Sequence, residues 1–179
     1  MNIARIVGTG MAVPECVVDN RLLSRGMDTS DEWIVQRTGI HERRVSPDTS
    51  RMLLGLAEAR DTQAFMRQVC ERGLGGTIDS TLTVSDLALD AARMALQHAG
   101  IGPEGLGCIV ESSTIPDFAY PHTGCVLQGK LGLSSTPVFN LQQGCAGFVY
   151  GLALGDQLIR GGMYERGLVV GAELPPTSK

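Results

Sequence analysis

Three largely apolar stretches constrain this chain more than anything else in it: Gly107 to Ser113 with Cys108-Ile109-Val110 at its centre, Thr136-Pro137-Val138-Phe139-Asn140-Leu141, and Arg166 to Glu173 around Leu168-Val169-Val170. Each reads as a buried strand, and helical segments separate them. Thr83-Val84-Ser85-Asp86 begins the clearest helix, with Leu87, Ala91, Met94, Ala95 and Ala99 at helical spacing and Gly100 as the stop. Thr123 to Leu131 forms a second helix closing at Gly132, and Cys145 to Arg160 a third. Nearer the start, Ile3 to Gly10 is a β-branched run read as a strand and broken at Val13-Pro14. Asn20 is the expected N-cap of a short helix to Arg25, and Thr29 or Ser30 caps another that ends near Gly39. Apolar strands alternating with helices imply an α/β fold with a mixed, largely parallel sheet covered by helices on both faces.

Composition narrows the classes. At 179 residues the chain fits one ordinary domain, and a net charge of −4 with 43% hydrophobic residues describes a globular protein without a large basic surface. Nucleic acid is therefore not an expected partner, and neither is a membrane, because no stretch approaches the roughly 18 consecutive apolar residues of a span. Met1 to Arg5 starts a strand-like segment rather than a signal peptide, so the cytoplasm is the expected location. The five cysteines, Cys16, Cys70, Cys108, Cys125 and Cys145, lack CxxC spacing and clustered histidines. They suggest reduced thiols, not a disulfide framework or a metal site. Residues 51–72 carry a rough helical stripe, Met52, Leu53, Leu56, Ala59, Met66, Val69 and Cys70, among mixed charges, and Gly73-Leu74-Gly75-Gly76 ends it. This reads as an amphipathic helical insertion over about 51–80 that packs locally.

Cys145 stands in Gln143-Gly144-Cys145-Ala146-Gly147-Phe148, between a strand and a helix. The unpaired N–H groups and positive dipole of a helix start favour thiolate, the nucleophilic form, and flanking glycines leave room for a carbonyl to approach. The residues alone leave two readings open, an inert packed thiol and a nucleophile.

Ile6-Val7-Gly8-Thr9-Gly10 with Pro14-Glu15, the long stretch from Asp28 through Trp33, Arg37 and Gly39 to Arg44, and Gly144-Cys145-Ala146-Gly147-Phe148 together carry a resemblance to a known family. The chain resembles the amino-terminal half of the ketosynthase III enzymes, the 3-oxoacyl-acyl carrier protein synthases III of the thiolase superfamily. It departs from them at Gly144, where alanine is commoner, at His41, a usually basic position, and in the insertion. The resemblance implies a thiolase-like amino-terminal half-domain over residues 1–179, with the carboxy-terminal half absent from this chain and a fragment or split subunit as the expected state. It matches Cys145 to the nucleophile that takes an acyl group from acyl-coenzyme A and releases it to the carbanion of a malonyl thioester, carried by acyl carrier protein or coenzyme A. No metal or redox cofactor is implied; coenzyme A enters as a thioester substrate.

By the same resemblance Trp33 and Arg37 contact the adenine end of coenzyme A, Thr29 hydrogen-bonds the base, and Tyr120 reaches the partner subunit's acyl pocket in a homodimer built through the strand near Phe139. Each has a plainer alternative: core packing for Trp33, the only tryptophan, and a loop cap over the local core for Tyr120. The histidine and asparagine that assist decarboxylation in the family belong to the other half. Of His41, His98 and His122, only His122 is a candidate neighbour of the thiol, and His98 reads as a surface or helix-end residue. Arg37, Arg43 and Arg44 read either as a carrier-protein patch or as a solvated face. Three functions stand beside one another: a condensing enzyme, a relative that passes the acyl group to an oxygen, nitrogen or non-malonyl carbon nucleophile, and a non-catalytic partner subunit.

Overall fold

The computed structural model describes residues 3–47, 49, 50, 53, 54, 57, 63 and 82–174. They fall into two units, one of Val13–Leu82 with Leu174–Lys179, the other of Met1–Ala12 with Thr83–Glu173. Most of the expected insertion over 51–80 lies outside the described residues; those described within it, Leu53, Leu54, Ala57 and Gln63, are helical.

In the first unit β1 (Cys16–Asp19) pairs antiparallel with β2 (Glu42–Val45), Cys16 opposite Val45 and Asp19 opposite Glu42. Between them lie α1 (Asn20–Gly26) and α2 (Asp31–Thr38). Asp19, not Asn20, caps α1: its Oδ1 accepts from Leu22 N at 2.8 Å. The expected cap is displaced by one residue because the amide of Asn20 is buried and bonded elsewhere. Ser30 caps α2, its Oγ accepting from Trp33 N at 3.1 Å, and Asp31 and Glu32 in the first turn suit the helix dipole. Gly39 ends the helix at φ 70°, a left-handed conformation that glycine adopts without strain.

The second unit is a parallel sheet between helices. Its elements run α3 (Val84–Ala99), β3 (Cys108–Ser112), α4 (Thr123–Lys130), β4 (Val138–Leu141), α5 (Gly147–Arg160) and β5 (Gly167–Gly171). The strand order is β4-β3-β5, with Ile109 opposite Val138 and Leu168. Residues 108–112 are buried throughout, as a central parallel strand requires. Helices α3 and α4 cover one face, on β5 and on β3 and β4, while α5 covers the other, on β3 and β5. Gly151 and Gly155 bring α5 down onto the sheet: an added Cβ would lie 3.1 Å and 3.0 Å from the methyl groups of Val169.

The expected strand over Ile3–Gly10 is not formed. This run lies on α3 instead of pairing with the sheet: an added Cβ at Gly8 would strike the backbone of Ala95 and Ala99, and one at Gly10 that of Ala91 and Ala95. His98 Nδ1 lies 3.4 Å from both Thr9 N and Thr9 Oγ1, so His98 holds this segment. A helix surface offers no ladder partner, and Ile3, Ile6, Val7 and Met11 remain exposed. Accordingly the α3 residues 91, 94, 95 and 99 face this segment, while Val84, Leu87, Ala88, Ala92 and Leu96 are the helix's buried apolar positions.

The start of α3 is the most heavily tied helix end. Thr83 Oγ1 accepts from Asp86 N at 3.1 Å while Thr83 N donates to Asp86 Oδ2 at 3.0 Å, a reciprocal capping box. Lys130 Nζ reaches Asp86, Ser85 and Thr83, and Asp117 accepts from Val84 N and Ser85 N at 2.7 and 2.9 Å. Although burial acts to raise it, the hydrogen bonds from Lys130 and Thr83 hold the Asp86 carboxyl below its ordinary value. Thr83→Ala removes the cap and one Lys130 acceptor, and urea denaturation is expected to show a loss of about 1–2 kcal/mol.

Candidate functional site

From β4 the chain passes through Gln142 and Gln143 into a single 3-10 turn, Gly144–Ala146, and only then into α5. Cys145 therefore stands one turn ahead of the helix rather than opening it. The break arises at Gly144, whose φ of 56° is left-handed and favours glycine. Gly147 closes the turn, its N–H donating to Gly144 O, and lies so close over Ser112 at the end of β3 that a Cβ would strike the Ser112 hydroxyl.

The thiol of Cys145 is exposed, so the packed-thiol reading does not hold. No side chain caps α5. Its first N–H, that of Gly147, is taken by Gly144 O, while the positive end of the helix dipole still favours an anion next to Cys145. Cys108 is the opposite case: it is wholly buried in β3, and burial pushes its thiol up, away from reactivity. Cys125 is exposed and Cys16 half-buried, neither in a disulfide, and Cys70 lies outside the described residues. Among the described residues no cluster of three metal-ligating side chains is found, and no helix is long and apolar enough to cross a membrane.

His122 does not serve the thiol. Its Nδ1 lies 3.2 Å from Glu111 Oε2, and no hydrogen bond among the described residues joins it to Cys145. Successive strand residues face opposite sides of a sheet, so Glu111 lies on the α4 face while Ser112 lies beneath Gly147 on the α5 face. Glu111 is wholly buried in β3, and burial pushes its carboxyl up to about 7, with the Glu173 and Asp117 carboxylates acting in the same direction. Its Oε1 is enclosed without a hydrogen-bond partner among the described residues. Sequence reasoning missed this group; a glutamate directly after Cys108-Ile109-Val110 was the available signal.

In the other unit, α2 brings Trp33 and Arg37 together. They are one turn apart, and the Arg37 guanidinium carbon stands 5.6 Å from the centre of the Trp33 ring. Trp33 is 55% exposed and is not packed into a core of the described residues. Thr29 precedes the Ser30 cap, and its Oγ1 is enclosed without a hydrogen-bond partner among the described residues. Tyr120 is 92% exposed and caps no local core. His41 and Arg44 are exposed, while Arg43 is partly buried and bonded to Asn20.

Residues 139–177 match the family model for 3-oxoacyl-[acyl-carrier-protein (ACP)] synthase III. A β-ketoacyl-[acyl-carrier-protein] synthase III of Caldanaerobacter subterraneus subsp. tengcongensis is 36% identical over 170 residues, covering 95% of this chain and 42% of the relative. The crystal structure of 3-oxoacyl-[acyl-carrier-protein] synthase III from Aquifex aeolicus superposes with a TM-score of 0.74 at 31% identity, over 94% of this chain and 44% of that one. For the enzyme from Pseudomonas aeruginosa the TM-score is 0.71 at 31% identity, over 95% and 43%. The chain thus spans less than half the length of these relatives. The α/β fold is thiolase-like, and over nearly its whole length the chain is similar to the amino-terminal part of 3-oxoacyl-[acyl-carrier-protein] synthases III.

Proposed function

We propose that this chain supplies the nucleophile and the coenzyme A contact of a condensing enzyme. The observation that carries this reading is the exposed Cys145 thiol in the glycine-bounded turn ahead of an uncapped helix start. The Cys145 thiolate attacks the carbonyl of an acyl-coenzyme A; the Sγ–C bond forms, the backbone N–H of Cys145 helps hold the oxyanion, and coenzyme A thiolate leaves. A malonyl thioester then loses CO2, and its carbanion attacks the acyl-cysteine carbonyl to give a 3-oxoacyl thioester and free Cys145. The histidine and asparagine expected to assist that second step belong to the carboxy-terminal part of the enzyme.

Trp33 and Arg37 take the nucleotide end of coenzyme A, the indole by stacking and the guanidinium by stacking or phosphate pairing. Thr29 serves the base only after its hydroxyl turns out of its enclosed position. The complete enzyme works as a cytoplasmic homodimer. The edge position of β4 and the exposure of Tyr120 support that assembly.

Incubation with a panel of acyl-coenzyme A thioesters is expected to add one acyl mass to the protein. Adding malonyl-acyl carrier protein or malonyl-coenzyme A, with the carboxy-terminal part supplied, is expected to remove it as a 3-oxoacyl thioester. No adduct with or without that part would overturn the reading. An adduct that leaves only to alcohols or amines would favour acyl transfer without condensation.

A further inference from the structure

Asn20 is 1% exposed, and its side-chain amide is fully committed. Its Nδ2 donates to Asp31 Oδ1 at 2.8 Å and to Ile40 O at 2.7 Å, and its Oδ1 accepts from Arg43 Nη1 at 2.6 Å. The orientation of the amide follows from its partners: a carboxylate and a carbonyl only accept, and a guanidinium only donates. Asp31 is the first residue of α2, and Ile40 follows its Gly39 stop. One buried nitrogen thus binds the chain where it enters α2 and where it leaves, while Arg43 ties the same amide to β2.

Trp33 and Arg37 lie between these two anchor points. Ser30 and Gly39 satisfy the helix ends locally, but neither fixes the helix against β1 and β2. Asn20 does, since it leads directly out of β1 into α1. We infer that Asn20, held by Arg43, is a positioning residue that clamps both ends of α2 and so presents Trp33 and Arg37 as one rigid platform for a nucleotide. The inference rests on the proposed role of that pair toward coenzyme A. A platform already ordered before binding spends less of its contact energy on ordering.

Trp33 is the only tryptophan, so its fluorescence reports on this helix alone. The experiment titrates free coenzyme A against Trp33 emission in the wild type, Asn20→Ala and Asp31→Ala, with amide exchange measured for each. Asn20→Ala, which removes all three bonds, is expected to weaken binding about tenfold and to speed exchange in 31–38 while leaving 84–99 unchanged. Asp31→Ala removes the entry contact and one first-turn charge, from a partly exposed position, while leaving the Ile40 and Arg43 contacts, and is expected to weaken binding about threefold. A lesion of general packing would instead raise exchange in both helices and lower Trp33 order without selective loss of affinity. Coenzyme A binding as tight as wild type in both variants overturns the inference. If Asn20→Ala fails to fold, unchanged affinity in Asp31→Ala alone overturns it. A wild type that does not bind coenzyme A sinks the reading of Trp33 and Arg37 instead; the clamp then stands if exchange rises selectively in 31–38 and falls if it does not.

Discussion

Replacing Cys145 by alanine is expected to lower acylation by acyl-coenzyme A at least about a thousandfold, the scale at which loss of a nucleophile acts, and to leave no acyl adduct in an intact-mass spectrum. The effect is large because nothing nearby substitutes for the thiol. Ala146 and Gly147 carry no nucleophilic group, Ser112 lies beneath the turn, and His122 is engaged by Glu111 on the opposite face of the sheet. Cys108 is wholly buried, and Cys125 belongs to α4. The variant should fold as the wild type does, since the side chain it shortens is exposed and the turn is set by Gly144 and Gly147. An adduct that persists at the wild-type rate in Cys145→Ala would place the nucleophile elsewhere, and peptide mapping would then identify Cys125 or Cys16 as its bearer.

The second large effect concerns stability against pH and comes from Glu111. In the folded chain its carboxyl titrates near 7, against an ordinary value of 4.5, because burial disfavours the charge and Glu173 and Asp117 add to it. A raised folded-state value means that the folded protein keeps this proton while the unfolded chain releases it. The proton-linked stability is fully present below pH 4.5, declines as pH rises, and is lost above about pH 7. The total is about 3 kcal/mol. Glu111→Gln keeps the shape, carries no charge, and can donate to His122 Nδ1. It is expected to melt about 5–10 °C above wild type at pH 8 and to differ little at pH 4.5. Equal melting temperatures of Glu111→Gln and wild type at pH 8 would show that Glu111 sits there ionised and satisfied.

What the sequence made legible divides along physical lines. Elements specified by local chemistry appeared where expected: Ser30 and Gly39 bound α2, Thr83 and Gly100 bound α3, and three largely apolar stretches became the parallel strands. Where two elements must meet, local pattern was insufficient. Ile3–Gly10 has the composition of a strand, yet Gly8 and Gly10 permit so close an approach to α3 that the helix, not a strand, became its neighbour. Asn20 looked like a cap because asparagine caps helices well, but its amide serves three partners 11 to 23 positions away in the chain. For the candidate site, the motif around Cys145 was fully legible and its 3-10 turn was not, since one left-handed glycine decides where a helix begins. Glu111 escaped notice because its carboxyl is pushed up chiefly by burial within the sheet, which one glutamate in a short strand does not disclose, and secondarily by Glu173 and Asp117.

The glycines of α5 have one more consequence. Helices usually ride on a sheet through interleaved side chains, a layer that can yield when either surface shifts. Here Gly151 and Gly155 set bare backbone against the Val169 methyl groups, and Gly147 does the same over Ser112. Three successive turns of the helix therefore rest on the sheet without a cushion, and the turn that carries Cys145 inherits the sheet's rigidity. On the proposed reading the sulfur is a fixed point to which a substrate must be fitted, and selectivity among substrates then resides in the walls around it.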